Sequence, residues 1–339
     1  MRKINAVSFG VGVIGSLTAR HILENKSEQL NLMGAYDVDP SKVGKDLSEV
    51  IGHDRLTGVR VSNNLEEVLT KDVDISIHAT TSHFEAAYPQ IESVLSHGVD
   101  VVSSCEELSY PYAVNERLAN KLNSLARKQG ATVLGTGINP GFLMDVLPIT
   151  LTAPCKEVRR IRVSRRMDAA TRRVPFQRKI GAGMAENEFY EAIRNGSISG
   201  HVGLKQSIAM VADAIGWRLD EVIVGEVEPV VAESPTEKGY KRIVPGQVAG
   251  VRQVARGLVK GNPVIELNFS AYVGSEEEYD TVEIDGTPPI NRKISPCVHG
   301  DHGTVAMLTN MIPKVVNAPP GLYTMKDIQV PSAFLQNPP

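Results

Sequence analysis

The sequence predicts an α/β protein, with an N-terminal doubly wound parallel sheet and a second α/β domain carrying an open, mainly antiparallel sheet. Three observations support this fold class. Short apolar runs alternate with helical patterns as far as residue 137, as in parallel sheets joined by crossover helices. A glycine-rich turn follows the first run. Beyond residue 150 the segments alternate in the manner of antiparallel strands.

The predicted elements divide the chain into three parts. A length of 339 residues favours two domains, or one domain with a large insertion. The expected parts are 1–145, 146–298, and a C-terminal helix and tail at 299–339 that return to the first domain. Predicted strands cover 4–10, 30–37, 59–64, 73–81, 99–105, 131–137, 158–169, 222–233, 246–259, 263–274 and 279–286. Predicted helices cover 14–25, 65–71, 83–98, 112–130, 203–216 and 300–316, the last with Asp301 as its cap.

Composition excludes several classes of protein. A net charge of -3 provides no electrostatic footprint for nucleic acid. The cysteines Cys105, Cys155 and Cys297 lie far apart, which argues against a zinc site or a disulfide framework and suits a reducing compartment. The apolar N-terminal stretch is interrupted by Asn5 and by glycines, so we expect a cytoplasmic protein without a signal peptide. No apolar stretch is long enough to span a membrane. Because the cysteines lie far apart, we also expect no bound metal.

The glycine-rich turn has the spacing of a dinucleotide-binding Rossmann fingerprint. Gly10 allows a tight turn, Gly12 lets the backbone approach a pyrophosphate, and Gly15 lets helix and strand pack closely. The helix that follows presents its N–H groups to phosphate. Asp37 ends the second predicted strand 22 residues after Gly15, close to the position expected for the ribose-binding acid.

Asp37 also favours one dinucleotide over the other. Its carboxylate accepts the ribose 2′-hydroxyl of NAD and repels the 2′-phosphate of NADP. Lys42 and Lys45 follow closely and could approach a phosphate. We therefore expect NAD to be preferred and NADP to be tolerated.

The fourth predicted strand ends in polar residues. In a dinucleotide-binding domain the loop after this strand passes near the nicotinamide ribose, and Thr81 or Ser82 would also cap the next helix well. These two roles are compatible, because backbone groups can bind the cofactor while a side chain caps. The predicted cofactor contacts are Gly10, Gly12, Val13, Ile14, Gly15, Asp37, Ala79, Thr80 and Thr81.

Two adjacent glutamates, Glu106 and Glu107, follow the fifth strand at the edge of the sheet where ligands bind. A partly desolvated glutamate there is a usable general acid or base, whereas a solvated one would only stabilise a helix start. Cys105 is a weak candidate nucleophile, because neighbouring carboxylates raise the pKa of a thiol. It is expected to be a small buried strand residue.

The motifs together resemble the 2,4-diaminopentanoate dehydrogenase family, which includes the native amine dehydrogenases and is related in fold to dihydrodipicolinate reductase. The resemblance covers about residues 4–331 and is carried by "FGVGVIG", "GAYDVDPSKVGKDLSEVIG", "SSCEELSYP", "GTGINPGFLMD", "DAATRRVPFQRKIGAGM" and "GDHGTVAMLTNMIPKVVNAPPGLYTMKDI". It implies a homodimeric NAD(P)-dependent enzyme that interconverts an amine with a ketone or aldehyde plus ammonia.

The resemblance places the family's catalytic glutamate in "CEEL", where Glu106 is favoured and Glu107 is the second choice. The carboxylate would exchange a proton with water or ammonium. Asn139 follows the sixth strand and could hold the substrate or the nicotinamide carboxamide, although asparagine before proline also simply starts turns. The predicted substrate contacts are Asn139, Phe142, Leu143, Arg173 and Phe176, with Met144 as a further pocket residue.

A basic cluster in the second domain has three possible interpretations. It comprises Arg165, Arg166, Arg172, Arg173, Arg178 and Lys179. It could bind a substrate carboxylate or a partner subunit, or it could be a solvated loop. His299 and His302 lack the spacing of a metal site and are expected to form local hydrogen bonds.

Other functions on the same fold remain open. A dihydrodipicolinate reductase-like imine reductase would carry a histidine-rich segment with a nearby lysine, and no such run occurs here. A homoserine dehydrogenase-like enzyme would depend on lysine and aspartate in the second domain. A cofactor-binding protein without activity is disfavoured by the paired glutamates.

Overall fold

The computed structural model describes residues 2–334 and divides the chain into two compact units. The first unit is Met1–Phe142 together with His299–Pro339, and the second is Leu143–Val298. The chain therefore passes from the first unit to the second after Phe142, whereas the sequence analysis places this boundary after residue 145.

Within residues 2–334 the strands are β1 Ile4–Phe9, β2 Leu30–Tyr36, β3 Val61–Ser62, β4 Ile75–His78, β5 Asp100–Ser103, β6 Thr132–Gly135, β7 Glu157–Asp168, β8 Glu221–Val224, β9 Glu228–Val231, β10 Val248–Val259, β11 Asn262–Tyr272, β12 Tyr279–Thr287, β13 Ile290–Ile294 and β14 Gly321–Tyr323. The α-helices are α1 Val13–His21, α2 Leu47–Ile51, α3 Leu65–Val68, α4 Phe84–Leu95, α5 Tyr112–Gln129, α6 Val146–Thr152, α7 Val174–Lys179, α8 Glu186–Arg194, α9 Leu204–Ala214 and α10 Gly300–Val316. None of the helices in these residues is long and apolar enough to cross a membrane.

The first unit contains a seven-stranded sheet in the order β14-β6-β5-β4-β1-β2-β3. Neighbouring strands of this sheet are parallel, as predicted. Strands β2 and β3 follow one another on one side of β1. Strands β4, β5 and β6 follow one another on its other side. The strand order therefore reverses between β1 and β4, and ligands bind beyond the carboxyl ends of strands at such a switch point.

The core of the first unit forms because its central strands are buried over most of their length and each long helix has one apolar face. On α4 the buried side chains Phe84, Ala87, Ile91 and Leu95 recur at helical spacing and join the core of the sheet. Full burial of a side chain of this size contributes about 1.5–3 kcal/mol. This packing holds α4 against the sheet and orients its first turn.

The C-terminal segment belongs to the first unit and completes its sheet. Helix α10 contacts α1 and β5, and β14 pairs with β6. The residue that caps α10 is His299, whose ring accepts the N–H of His302, and not Asp301, which lies one residue inside the helix. The helix begins at Gly300, as the pattern predicts, so its cap lies two residues before Asp301.

The second unit contains a mixed sheet in the order β13-β12-β7-β11-β10-β8, with β9 also paired to β10. The central pair of β7 and β11 is parallel, and the other strand pairs of this sheet are antiparallel, which agrees with the predicted open, mainly antiparallel sheet. Helix α9 packs on β10 and β11 with a continuous set of buried residues. The opposite face carries half-exposed charged side chains.

The predicted strand 222–233 is wrong as a single element, because it is interrupted at Gly225. A Cβ atom on Gly225 would lie 2.8 Å from the carbonyl oxygen of Val254 on the neighbouring strand. The N–H of Gly225 donates to that same carbonyl at 2.8 Å. Both β8 and β9 pair with β10, so the segment is one interrupted edge strand.

Candidate active site

The glycine-rich turn between β1 and α1 is closely packed at two of its three glycines. Gly10 has a φ of 92°, and a Cβ atom there would lie 2.7 Å from the carbonyl oxygen of Ala79. A Cβ atom on Gly15 would lie 1.9 Å from the carbonyl oxygen of Gly10. Gly12 has no atom within 4 Å of the equivalent position, so its backbone is open to a ligand. No side chain caps the start of α1, where phosphate would bind.

Asp37 links the second strand to this turn. Its Oδ2 accepts the N–H of Val11 at 2.8 Å and the ammonium of Lys42 at 3.0 Å, and its Oδ1 accepts the N–H of Asp39 at 2.9 Å. Burial alone would raise the pKa of Asp37, but these donors outweigh burial and hold the pKa below its ordinary value. The carboxylate is therefore charged and acts as an acceptor at neutral pH.

A cavity of about 450 Å³ opens beside Asp37 and the glycine-rich turn. It lies at the switch point between β1 and β4. Its lining residues are Phe9, Gly10, Gly12, Tyr36, Asp37, Val38, Lys42, Ala79, Thr80 and Gln90. An open glycine backbone, one carboxylate and several apolar side chains suit the adenosine and phosphate portion of a dinucleotide.

A buried histidine lies directly behind one wall of this cavity. His78 ends β4, has no exposed surface, and contacts the side chains of Ser103 and Gln90 at 2.8 and 2.9 Å. Burial lowers its pKa to about 4, so the ring is neutral at physiological pH. His78, Gln90 and the lining residues Phe9, Tyr36 and Val38 were missed by the sequence analysis. A histidine inside an otherwise apolar strand was the available signal.

The two adjacent glutamates have different surroundings. The Oε2 of Glu107 accepts the N–H of Phe84 at 2.7 Å, and its Oε1 lies 3.3 Å from the Nδ1 of His83. Glu107 therefore caps the start of α4. The expectation that Thr81 or Ser82 caps this helix is wrong. The hydroxyl of Thr81 accepts the N–H of His83 in the preceding turn.

Glu106 begins a short 3-10 turn, Glu106–Ser109, and two residues separate it from the end of β5 at Ser103. Its side chain is half-buried and its carbonyl oxygen accepts the hydroxyl of Ser109 at 2.7 Å. The preceding residue, Cys105, is 1% exposed, and burial raises the pKa of its thiol to about 12. Cys105 is therefore a protonated core residue, as predicted, and lacks the thiolate that a nucleophile needs.

The predicted substrate contacts are distributed over both units. In the first unit, Asn139 and Phe142 are half-buried in the loop that follows β6. In the second unit, Leu143 is 1% exposed, Arg173 is exposed at the start of α7, and Phe176 is half-buried on that helix.

Four basic residues of the second unit make separate contacts with other side chains. Arg165 is 2% exposed and binds the equally buried Asp280 at 2.7 Å. Asp280 in turn accepts the N–H of Val298 at 2.9 Å. Three further guanidinium groups lie over aromatic rings: Arg166 on Tyr279, Arg172 on Phe176 and Arg178 on Tyr240. Arg165 is thus a structural residue. In residues 2–334 no group of three or more His, Cys, Asp or Glu residues could hold a metal ion.

A doubly wound sheet, a glycine turn at its switch point and an acid at the end of the second strand define a Rossmann-type dinucleotide-binding dehydrogenase. Comparison with known proteins extends this class. Residues 10–135 match the model of the homoserine dehydrogenase NAD-binding domain, and residues 142–338 match that of the 2,4-diaminopentanoate dehydrogenase C-terminal domain.

Curated relatives and a solved structure span nearly the whole chain. The 2,4-diaminopentanoate dehydrogenase of Acetoanaerobium sticklandii is 34% identical, covering 99% of this chain and 96% of the relative. The amine dehydrogenase of Streptomyces virginiae is 24% identical, covering 98% of each. The amine dehydrogenase structure from Mycobacterium smegmatis superposes with a TM-score of 0.82 at 27% identity, covering 98% of each.

The chain belongs to the 2,4-diaminopentanoate dehydrogenase family. It is an NAD-dependent oxidoreductase that acts on amines. The resemblance drawn from the sequence motifs is thereby confirmed.

Proposed function

We propose that the enzyme catalyses the reversible oxidative deamination of a small amine to a ketone or aldehyde plus ammonia, with Glu106 as its acid and base. The observation that carries this proposal is the difference between the two adjacent glutamates. Glu107 is committed to the first N–H of α4. Glu106 lies one residue earlier, at the carboxyl end of β5, where ligands of such sheets bind.

The proposed chemistry needs one group that exchanges protons near neutral pH. Bound NAD supplies the hydride acceptor. The carboxylate of Glu106 accepts a proton from the water that becomes the carbonyl oxygen, and it returns a proton to the departing ammonia. Its negative charge also stabilises the positive charge that develops on the amine nitrogen as the adjoining carbon is oxidised.

We propose NAD as the preferred cofactor and NADP as a weaker alternative. Asp37 offers a carboxylate to the ribose hydroxyls and repels a 2′-phosphate. Lys42 lies on the same carboxylate and lines the same cavity. Its ammonium reduces the local negative charge, which supports tolerance of the phosphate.

The proposed assembly is a homodimer formed through the second unit. Strand β8 lies at one edge of its sheet and exposes Ile223 and Val224, which are 43% and 42% accessible. An exposed apolar edge is a site of strand pairing or burial. The half-exposed sheet face carries cross-strand ion pairs, such as that of Arg162 with Glu266 and Glu283. Both features support a partner subunit on this unit.

The substrate is proposed to be either a diamino acid of the 2,4-diaminopentanoate type or a simple amine. A diamino acid needs polar partners, for which Arg173 and Asn139 are the candidates. A simple ketone or aldehyde needs apolar contacts, for which Phe142, Leu143 and Phe176 are the candidates. These five residues are proposed substrate contacts.

One assay tests the proposed reaction against the alternatives on this fold. NADH oxidation is followed with a panel of keto acids, ketones and aldehydes, with and without ammonium. Strict dependence on ammonium supports reductive amination. Turnover without ammonium would instead favour an imine reductase or a homoserine dehydrogenase-like enzyme, and the proposal would be abandoned.

A further inference from the structure

A hydrogen-bond network of defined direction lies behind the wall of the cofactor cavity. It runs from the backbone at Cys105 through Ser103 and His78 to Gln90, which lines the cavity. We propose that Gln90 binds the adenosine half of NAD through its carboxamide N–H2 group, and that His78 acts through Gln90 as a positioning residue. The inference rests on NAD binding in this cavity.

The direction of the network follows from its acceptors. The Oε1 of Gln90 lies 2.9 Å from the Nε2 of His78 and accepts the hydroxyl of Thr80 at 2.6 Å. A carboxamide oxygen has no hydrogen to give, so Nε2 of His78 must carry the proton. The same N–H also reaches the hydroxyl oxygen of Thr80 at 3.0 Å.

The other ring nitrogen is therefore an acceptor. His78 is completely buried and the ring is neutral, so its Nδ1 has no hydrogen. The hydroxyl of Ser103 donates to Nδ1 at 2.8 Å, and the Oγ of Ser103 accepts the N–H of Cys105 at 3.1 Å. Each group in the network has its partner, which leaves the imidazole with one tautomer and one orientation.

In this arrangement the carboxamide of Gln90 presents only its N–H2 group, a hydrogen-bond donor, to the cavity. Its oxygen is occupied by two donors, and its N–H2 group has no hydrogen-bond partner among the described residues 2–334. Without His78 the carboxamide could rotate and present its oxygen instead. The buried ring therefore determines which end of Gln90 a ligand meets.

The adenosine half of NAD has the complementary chemistry. Asp37 lines the same cavity, and its carboxylate is suited to the adenosine ribose. A group bound next to this ribose presents ring nitrogens and ribose oxygens, which accept hydrogen bonds. A donor-only Gln90 matches those acceptors, whereas a rotated carboxamide would place an oxygen against them.

The first experiment measures binding of cofactor fragments to the full-length enzyme. Gln90→Met keeps the length of the side chain and removes its N–H groups. We expect this substitution to weaken the binding of NADH and of ADP-ribose by similar factors of about 3- to 10-fold, which is the effect of one hydrogen bond. Binding of nicotinamide mononucleotide should not change. Gln129→Met, on α5, is the matched control and should leave all three dissociation constants unchanged.

Two outcomes of this titration separate the inference from the proposed cofactor site. If Asp37→Ala weakens the binding of NADH and Gln90→Met does not, Gln90 has no role in cofactor binding and this inference is overturned. If Asp37→Ala also has no effect, NAD does not bind in this cavity and the proposed cofactor site fails with it. If Gln90→Met weakened only the binding of nicotinamide mononucleotide, Gln90 would contact the nicotinamide half of NAD, and the inference would be overturned.

The second experiment is a double-mutant cycle between His78→Leu and Gln90→Met. If His78 acts through Gln90, His78→Leu weakens the binding of NADH by the wild type but has little further effect on binding in the Gln90→Met background. Equal weakening in both backgrounds would show that His78 merely supports the fold, and its positioning role would be lost.

A milder substitution keeps the test valid if His78→Leu does not fold. Ser103→Ala removes the donor to Nδ1, and we expect about 2- to 5-fold weaker NADH binding that disappears in the Gln90→Met background. Ser76→Ala is the matched control. Ser76 is equally buried on β4, and its hydroxyl has no hydrogen-bond partner within residues 2–334. Identical effects of the two serine substitutions would overturn the network's role.

Discussion

The carboxylate of Glu107 accepts the backbone N–H of Phe84 at 2.7 Å, so a residue that follows β5 caps the helix that follows β4. The contact joins two neighbouring loops at the ligand-binding edge of the sheet. It also gives Glu107 a capping role that the sequence analysis did not assign to it.

We expect Glu106→Gln to lower the turnover number by about 10²–10⁴-fold, because the variant keeps the shape of the side chain and removes the proton acceptor. Glu107→Gln should have a small effect, because its amide oxygen can still accept the N–H of Phe84. Steady-state kinetics of amine oxidation measures both, and fluorescence titration with NADH confirms that each variant binds cofactor. A larger loss in Glu107→Gln would transfer the catalytic role to that residue.

Cofactor preference should depend on Asp37 and Lys42 in opposite directions. Asp37→Ala removes the acceptor of the ribose hydroxyl and the repulsion of a 2′-phosphate, so the ratio of kcat/KM for NAD to that for NADP should fall about 10-fold or more. Lys42→Met leaves the carboxylate without its cation, so the same ratio should rise. An unchanged ratio in both variants would contradict the assignment of Asp37.

The buried pair of Arg165 and Asp280 should be a major stabilising contact of the second unit. Arg165→Met leaves a buried carboxylate without its partner, and removing one member of such a pair costs about 3–5 kcal/mol in the free energy of unfolding. The double variant Arg165→Met with Asp280→Leu should regain most of that loss. Urea unfolding of the single and double variants provides the measurement. Equal loss in the single and double variants would show that the pairing itself is not the cause.

His78 should make stability depend on pH. Its pKa is about 4 in the folded protein and about 6.5 in an unfolded chain, because burial disfavours the charged ring. The unfolded chain therefore takes up a proton that the folded protein does not. The resulting stability is complete above about pH 6.5 and is lost as the pH falls toward 4.

Urea midpoints of the wild type and His78→Leu at about pH 8 and pH 5 test this dependence. The wild type should lose more stability on acidification than the variant, so the difference between them should narrow. A constant difference at both pH values would show that His78 is not a source of the acid sensitivity.

The proposed homodimer makes a simple prediction about mass. Light scattering at micromolar concentration should give twice the mass of the 36.7 kDa chain. Ile223→Lys with Val224→Lys places charges on the exposed edge β8, which discourages strand pairing, and should weaken the dimer if this edge contributes. A monomeric wild type would contradict the proposed assembly.

Sequence patterns predicted the fold of the first unit because its elements depend on nearby residues. The spacing of Gly10, Gly12, Gly15 and Asp37 lies within one strand–helix–strand unit, and its packing follows from local chain geometry. The strand β14 was missed because its three residues carry too little periodicity to detect. Its pairing with β6 arises only when the C-terminal segment folds back onto the sheet.

The paired glutamates were found from the sequence, but their separate roles were not. The partner of Glu107 is 23 residues away and lies at the start of another helix. The partner of Arg165 could not be predicted from the sequence for the same reason, since it is an aspartate 115 residues later. No pattern along the chain specifies such partners.

The sequence by itself determined the alternating sheet, the dinucleotide turn with its acid, and the family, because these depend on periodicity and on residues close together in the chain. Only the tertiary structure decided that Glu107 caps a helix, that Arg165 is buried against Asp280, and that the ring of His78 contacts Gln90. These three relationships join separate elements. Their geometry exists only after the strands have assembled and packing has excluded water from the groups that must bind each other.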